Sequence, residues 1–197
     1  MQKEAMNLAK LSLRTEADAV AGVLDYLDEK AFGSAVDAMV KAERIMTCAC
    51  GNSGIAAQKL AHSLCCIEKP AKFIPPGEAV HGGLGFIKSG DVAVLASRGG
   101  KTAELMPILH VCRVKKVVVI SVTENLESPL AKGSDIVLPM KIKTESDKYN
   151  VMSTSSFMAL VGIFDALHIA IMEETGYSLD EFALIHPGGA VGERLNP

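Results

Sequence analysis

The stretch DVAVLASRGGKT, residues 91–102, carries the clearest signal for the fold. Its first half is a short apolar run, Val92–Ala96, and its second half is a turn of small, hydroxylated and glycine residues that leads into a segment with helical periodicity. A strand that is apolar on both faces and is followed by a helix is typical of a parallel sheet covered by helices on both sides. The stretch therefore predicts one βα unit of an α/β fold.

Similar units lie on both sides of this stretch along the chain. The other strand-like runs are Ile45–Ala49, Lys72–Ile74, Val117–Ser121 and Ile136–Pro139. The segments with helical spacing are Ser53–Cys66, Thr102–Arg113 and Thr154–Glu174. This alternation predicts a three-layer α/β/α sandwich with a central parallel sheet.

The amino-terminal part of the chain is predicted to be helical. Leucine and valine residues recur at helical spacing among charged residues from Gln2 to Lys30. A second, shorter helix is predicted to begin at Ser34, as its N-cap, and to end at Ala42.

Composition narrows the class of protein. The chain has 197 residues, of which 49% are apolar and 22% are charged, and its net charge is −3. These values are typical of a globular protein, and we expect one domain over residues 1–197. A pI near 6.0 argues against a nucleic-acid partner.

No targeting or membrane-spanning segment is predicted. The start of the chain lacks the apolar stretch of a signal peptide, and Asp165 and His168 interrupt the longest apolar run. We therefore expect a cytoplasmic protein with no membrane partner.

Three polar turns are predicted to lie at one edge of the sheet. They are Cys48–Gly54 (CACGNSG), Ala96–Thr102 (ASRGGKT) and Ser153–Ser156 (STSS). In an open parallel sheet, ligands bind outside the carboxyl ends of the strands, where helices begin with free N–H groups. A single turn of this kind usually does no more than cap the helix that follows it, and Ser53 is predicted to cap its helix in this way. Three together would supply the hydroxyls and amides that a phosphate needs.

Other kinds of site find little support in the sequence. The turns contain neither the dinucleotide motif GxGxxG nor the Walker motif GxxxxGK[ST], which disfavours nucleotide hydrolysis. The cysteine spacings, Cys48-x-Cys50 and Cys65-Cys66, differ from the paired Cys-x-x-Cys of a structural zinc site. No metal or other cofactor is therefore predicted.

Five segments carry a family resemblance. They are Gly51–Gly54 (GNSG), Gly77–Gly85 (GEAVHGGLG), Ser97–Glu104 (SRGGKTAE), Ser153–Ser156 (STSS) and Phe182–Gly192 (FALIHPGGAVG). In this order they resemble the sugar isomerase (SIS) domain of arabinose 5-phosphate isomerases, and the resemblance covers nearly the whole chain. It implies a flavodoxin-like sheet, a homotetramer, and interconversion of D-ribulose 5-phosphate and D-arabinose 5-phosphate, which leads into Kdo and lipopolysaccharide synthesis. Many members of this family add a pair of cystathionine-β-synthase-type regulatory domains, and here we expect the SIS domain without them.

The resemblance also implies roles for individual residues. Glu104, Glu145 and His186 fall on the active-site glutamates and histidine of the family. Asn52 stands where the family usually has lysine, and the second turn reads SRGGK where the family usually has SNSGE. Arg98 or Lys101 is then the candidate for the missing positive charge. The predicted substrate-binding residues are Asn52, Ser53, His81, Ser97, Arg98, Lys101, Thr102, Thr154 and Ser155.

The chemistry of an aldose–ketose isomerase fits these residue types. Moving a proton between adjacent carbons through an enediolate needs a base poised near neutral pH and a group that shuttles protons on the oxygens. Glu145 or His186 can be that base. A histidine with its ordinary pKa near 6.5 also suits the opening of a cyclic sugar.

Two alternatives and one assembly prediction remain open. The replacement of lysine by Asn52 favours a non-catalytic sugar-phosphate-binding module, and the same scaffold can isomerise another phosphosugar. Because His186 follows the last predicted helix, we expect it to reach the site of a neighbouring subunit. The amino-terminal helix would then pack against a partner chain in a tetramer.

Overall fold

The computed structural model describes residues 3–195, in which five parallel strands form one sheet. The strands are β1 (Ile45–Ala49), β2 (Ala71–Phe73), β3 (Val92–Ala96), β4 (Val118–Thr123) and β5 (Ile136–Pro139). Their order across the sheet is β2-β1-β3-β4-β5. This order is that of flavodoxin-like folds. The predicted fold class is therefore confirmed, and the strands differ from the predicted runs by no more than two residues at either end.

Strand side chains alternate between two separate cores. On β3, Val92, Val94 and Ala96 point into one core, and Ala93 and Leu95 point into the other. All five are at most 1% exposed. Burial on both faces explains why the strand reads as a continuous apolar run instead of alternating with polar residues.

Helices cover both faces of the sheet. The first core is covered by α2 (Glu29–Lys41), α3 (Gly51–Cys65) and α7 (Ser155–Glu174), and α1 (Lys3–Ala21) packs on α7. The second core is covered by α4 (Pro76–Val80), α5 (Leu105–Val114) and α6 (Pro129–Gly133). Two short helices, α8 (Leu179–Ile185) and α9 (Gly189–Leu195), follow α7 and pack on each other.

The amino-terminal helices differ from the prediction. Gln2 lies outside the described residues, and α1 ends at Ala21 instead of continuing to Lys30, because Gly22 begins a 3-10 turn. Asp28 caps α2, and its Oδ1 accepts hydrogen bonds from the N–H groups of Lys30 and Ala31 at 3.0 Å. Ser34 lies inside this helix, where its hydroxyl donates to the carbonyl of Lys30, so the predicted cap is wrong. The low helix propensity of Gly22 favours the end of α1 at this place. At the beginning of α2, the side chain of Asp28 accepts from N–H groups that would otherwise lack a partner.

The helix α7 is the central helix of the first core. By length and composition alone it is the one helix of the described chain that is long and apolar enough to cross a membrane. Its buried residues, which include Leu160, Phe164 and Leu167, pack in the first core, and α7 contacts α1, α2 and α3. Asp165, which interrupts the apolar run, forms an ion pair with Lys59 of α3.

Candidate active site

The predicted site lies where the chain reverses its direction across the sheet. The strands β1 and β3 are neighbours, and the connections that follow them are the two glycine-containing turns. In this topology a crevice opens at the carboxyl ends of the two strands. At Gly54 an added Cβ would lie 2.8 Å from the carbonyl oxygen of Ala49, so glycine lets α3 begin close against the end of β1.

Two depressions open on the two sides of the turn after β1. The first, which we call the Arg98 depression, has a volume of about 270 Å³ and is lined by Cys50, Asn52, Ser53, Arg98, Met140, Glu145, Val151, Ser153 and Ser156. The second, the Glu104 depression, has about 400 Å³ and is lined by Ala49, Cys50, Gly51, Gly54, Ile55, Gln58, Phe73, Pro75, Pro76, Gly77 and Glu104. Cys50 lines both, so the two predicted glutamates lie on opposite sides of one turn.

Glu145 is a buried carboxylate with every oxygen occupied. Its side chain is 1% exposed, although it lies in a segment of polar residues. Its Oε1 accepts from Arg98 Nη1 at 2.7 Å and from the hydroxyl of Ser156 at 2.5 Å. Its Oε2 accepts from the N–H groups of Thr154 at 3.0 Å and Ser156 at 3.1 Å, and from the hydroxyl of Thr154 at 3.2 Å.

These contacts keep Glu145 ionised. Burial raises the pKa of the carboxyl, but the hydrogen bonds from Ser156 and Thr154 and the charge of Arg98 outweigh burial, so the net pKa is lowered. A carboxylate that accepts five hydrogen bonds and has a lowered pKa is a weak proton acceptor near pH 7. The geometry therefore argues against Glu145 as the base that the sequence suggested.

The third turn is occupied by this internal anion. The free N–H groups at the beginning of α7 bind the carboxylate of Glu145, where the sequence predicted a phosphate. The hydroxyl of Ser155 is buried and has no hydrogen-bond partner among residues 3–195. Thr154 and Ser155 therefore do not face the Arg98 depression, whereas Ser153 and Ser156 of the same run do. The sequence alone does not show which hydroxyls of this run face the depression, because only tertiary contacts decide which side chains turn inward.

Arg98 lies between two carboxylates. Its Nε donates to Oε2 of Glu124 at 2.7 Å, and its Nη1 donates to Glu145. Two negative charges thus surround one positive charge, which leaves Arg98 with little capacity to balance a phosphate dianion. Lys101 is exposed and has no ion-pair partner within the described part of the chain.

The first turn presents the open end of a helix. Cys50, and not Ser53, is the N-cap of α3, and it makes no side-chain capping hydrogen bond. Ser53 lies in the first helical turn and lines the Arg98 depression. Asn52 lines the same depression, and its Nδ2 donates to the carbonyl of Ser153 at 3.4 Å.

The hydroxyls of the second turn are turned toward each other. Ser97 Oγ and Thr102 Oγ1 lie 2.7 Å apart, and the N–H of Gly100 donates to Ser97 Oγ at 3.0 Å. Neither hydroxyl lines the Arg98 depression or the Glu104 depression. The turn also extends farther than predicted, because α5 begins at Leu105.

Glu104 is the exposed residue that directly precedes α5. Burial raises the pKa of the Cys50 thiol, and the nearby charge of Glu104 raises it further, which places the carboxylate against this thiol. His81, which directly follows α4, is exposed and lines neither depression. Pro75, which directly precedes α4, and Gly77, which lies within it, do line the Glu104 depression.

His186 lies apart from both depressions within one chain. It directly follows α8, and its ring stacks on Phe182 with the ring centroids 3.8 Å apart. Its Nδ1 lies 2.8 Å from the carbonyl oxygen of Phe182, to which it donates in the tautomer that carries the proton on Nδ1. The structure thus brings Glu104 and Glu145 to one turn and leaves His186 and His81 outside both depressions.

A larger groove of about 710 Å³ contains none of the predicted site residues. It lies between the end of α1 with the 3-10 turn that follows, from Thr15 to Tyr26, and the segment Lys141–Thr144. The size of a groove therefore does not by itself identify the active site.

Comparisons with known proteins define the class. The family described as the SIS domain matches residues 38–170, and the chain belongs to this family. Among curated relatives, the arabinose 5-phosphate isomerase KdsD of Pseudomonas aeruginosa is 35% identical over 188 residues, which are 95% of this chain and 57% of the relative. KdsD of Escherichia coli K12 is 31% identical over 93% of this chain and 56% of the relative. The chain therefore spans little more than half the length of these relatives.

Solved structures agree with this class. A candidate sugar-phosphate isomerase of Listeria monocytogenes is 37% identical, with a TM-score of 0.92 over 95% of this chain and 100% of that chain. A protein of Escherichia coli CFT073, solved in complex with A5P, is 28% identical, with a TM-score of 0.89 over 95% of this chain and 100% of that chain.

Proposed function

We propose that this protein is an aldose–ketose isomerase that interconverts D-ribulose 5-phosphate and D-arabinose 5-phosphate. The observation that carries the proposal is the position of Glu104 and Glu145 on the two sides of the turn after β1. Proton transfer between adjacent carbons needs groups that approach a substrate held at such a turn. Similarity to the E. coli CFT073 protein solved with A5P supports the choice of sugar.

The phosphate is assigned to the beginning of α3. The first N–H groups of this helix have no capping side chain, whereas those of α7 bind Glu145. Ser53, Ser153 and Ser156 line the adjoining depression and add hydroxyls. The helix dipole of α3 favours an anion there.

The carbon base is assigned to Glu104. Its carboxylate has no hydrogen bond or ion pair among the described residues, so an oxygen is free to accept a proton. Glu145 instead supplies a fixed negative charge. The charge of a fixed anion near the depression favours the protonated form of a histidine that enters it, and ring opening needs such an acid.

The histidine is assigned to a second copy of the chain. His186 lies outside both depressions of its own chain, and α8, which precedes it, exposes Leu184 with 77% of its surface accessible. The amino-terminal helix α1 likewise exposes Leu11 and Leu13. Two exposed apolar elements support a homotetramer in which His186 enters the site of a neighbouring subunit.

The test is incubation of the purified protein with ribulose 5-phosphate, followed by separation of the aldose product. We expect arabinose 5-phosphate, and we expect its formation to be lost in Glu104→Gln. The absence of lysine at position 52 favours a second candidate function, a non-catalytic sugar-phosphate-binding module. Saturable binding of ribulose 5-phosphate without any product would support the module and overturn the proposal. Turnover of a different phosphosugar with none of ribulose 5-phosphate would overturn the assigned substrate only.

A further inference from the structure

The guanidinium of Arg98 is fixed at both ends. Glu124 accepts from Nε, and Glu145 accepts from Nη1, each at 2.7 Å. A guanidinium is planar and rigid, so fixing the Nε edge determines where Nη1 points. The side chain of Glu124 therefore controls, through Arg98, one of the two donors that reach Oε1 of Glu145, the other being the hydroxyl of Ser156.

The main chain strengthens the same connection. The carbonyl of Arg98 accepts from the N–H of Glu124 at 3.0 Å and from the hydroxyl of Thr123 at 3.0 Å. Arg98 and Glu124 follow the neighbouring strands β3 and β4, and they are thus joined by both main chain and side chain. Such a double link holds the guanidinium in one place relative to the sheet.

The charge and the position of the group formed by Glu124, Arg98 and Glu145 both argue against a role in binding the phosphate. Glu124, Arg98 and Glu145 together carry one net negative charge, which repels a phosphate dianion. Glu124 does not line the Arg98 depression, so it has no direct access to a ligand there. We therefore expect an effect of Glu124 on the reaction to pass through Arg98, with which its side chain forms an ion pair.

We propose that Arg98 is a positioning residue which, held by Glu124, fixes the carboxylate of Glu145 beside the reacting sugar, and that it is not the cation that binds the phosphate. This inference rests on the proposed isomerase function. It changes the role that the sequence suggested for Arg98, and it leaves Lys101 as the cation of the second turn.

Two substitutions distinguish the effect of the planar guanidinium of Arg98 from the effect of its positive charge. Arg98→Lys keeps the positive charge but offers a single ammonium that cannot hold both carboxylates as the guanidinium does. Glu124→Gln removes the charge of the anchor, so that only a neutral amide oxygen can accept from Nε, and it leaves every residue of the depression in place. The matched control is Glu127→Gln, at an exposed carboxylate three residues along the chain that pairs with Lys132.

The kinetic test compares kcat and KM. We expect both Arg98→Lys and Glu124→Gln to lower kcat about ten- to a hundredfold, since a small misplacement of a reacting group costs that much, with little change in KM. In the double variant, Glu124→Gln should cause no further loss. Glu127→Gln should leave both constants unchanged. A wild-type kcat in Arg98→Lys, or a lower KM with unchanged kcat in Glu124→Gln, would show that Arg98 acts as a phosphate cation and would overturn the proposal.

A readout that needs no turnover keeps this test independent of the proposed function. The side-chain carboxyl of Glu145 can be followed by carbon-13 NMR during acid titration, and binding of inorganic phosphate by calorimetry. In Glu124→Gln and Arg98→Lys we expect the titration of Glu145 to differ from wild type, because Nη1 of the guanidinium is no longer held against Oε1, with phosphate affinity within twofold of wild type. An unchanged titration of Glu145 in both variants would overturn the positioning role, even in a protein with no isomerase activity.

Discussion

The carboxylate of Glu145 acts as an internal anion at the beginning of α7. It satisfies the N–H groups of Thr154 and Ser156, which would otherwise lack partners in a buried place. Its interaction with the helix dipole and with Arg98 stabilises the fold as well as the site. The residue that the family resemblance places in catalysis is thus also a structural residue.

Replacing this carboxylate by an amide should destabilise the protein. Glu145→Gln keeps the size of the side chain but directs an NH₂ group at donors, and we expect a loss of about 2–3 kcal/mol in the free energy of unfolding at pH 7. Urea unfolding measures it. Because the pKa of Glu145 is lowered in the folded state, its contribution is present above pH 4.5 and is lost as the pH falls through the folded-state value. The difference between the two proteins should therefore shrink in acid, and a constant difference would contradict this account.

Asn52 marks the place where a family lysine is missing. It lines the Arg98 depression in the first turn of α3, beside the proposed phosphate position. We expect Asn52→Lys to tighten the binding of inorganic phosphate about tenfold, the effect of one charge-assisted hydrogen bond. Calorimetry measures the affinity, and Asn52→Gln is the control that adds length without charge. Equal affinities in Asn52→Lys and wild type would place the phosphate elsewhere.

Residue types at the site were more predictable than residue contacts. The serine run before α7 was recognisable in the sequence, but only the fold turns Ser153 and Ser156 toward the depression and buries Ser155. Nothing in the polar segment around Glu145 indicates that this one carboxylate is buried. Its burial depends on Arg98, which lies 47 residues away along the chain.

Among the elements, the turn after β3 depends on the backbone of Gly100. This glycine has a φ of +64°, and an added Cβ would overlap the side chain of Ser128. Ser128 is fully buried and caps α6 by accepting from the N–H of Ala131 at 3.2 Å. The turn after β3 and the N-cap of α6 therefore pack tightly against each other, with Gly100 beside the side chain of Ser128.

An alanine at this position should disturb both features. We expect Gly100→Ala to lower the free energy of unfolding by about 1–3 kcal/mol, because the left-handed backbone is strained for alanine and Ser128 must move. Gly99→Ala is the matched control, since a Cβ there meets no atom within 4 Å. Urea unfolding of both variants decides the point. A loss of equal size at Gly99 would show that the turn tolerates no side chain at either position.

Elements with strong periodic patterns were predicted well, and their ends were not. The strand β3 matched its apolar run because burial on both faces requires apolar residues throughout. The amino-terminal helix failed because its leucines continue at helical spacing past Gly22, where the chain bends into a 3-10 turn. Local periodicity does not show where a helix must turn to reach the next element.

At the scale of the whole molecule, the site of one chain lacks the histidine that the family places there. If His186 enters a neighbouring site, mixed oligomers of two inactive variants should regain activity. We expect Glu104→Gln and His186→Ala each to be inactive, and a co-expressed mixture to restore about one quarter of the sites, since each intact site needs one suitable partner from two chains. Two affinity tags purify the mixed oligomers, and light scattering measures their size. Mixed oligomers that form but remain inactive would contradict the shared site.

The most direct test of the account is proton NMR of ribulose 5-phosphate incubated with the protein in deuterium oxide. Transfer through an enediolate by a base at the turn after β1 predicts arabinose 5-phosphate with deuterium at C2, formed in the wild type and not in Glu104→Gln. A spectrum that shows no arabinose 5-phosphate beyond a protein-free control would contradict the account.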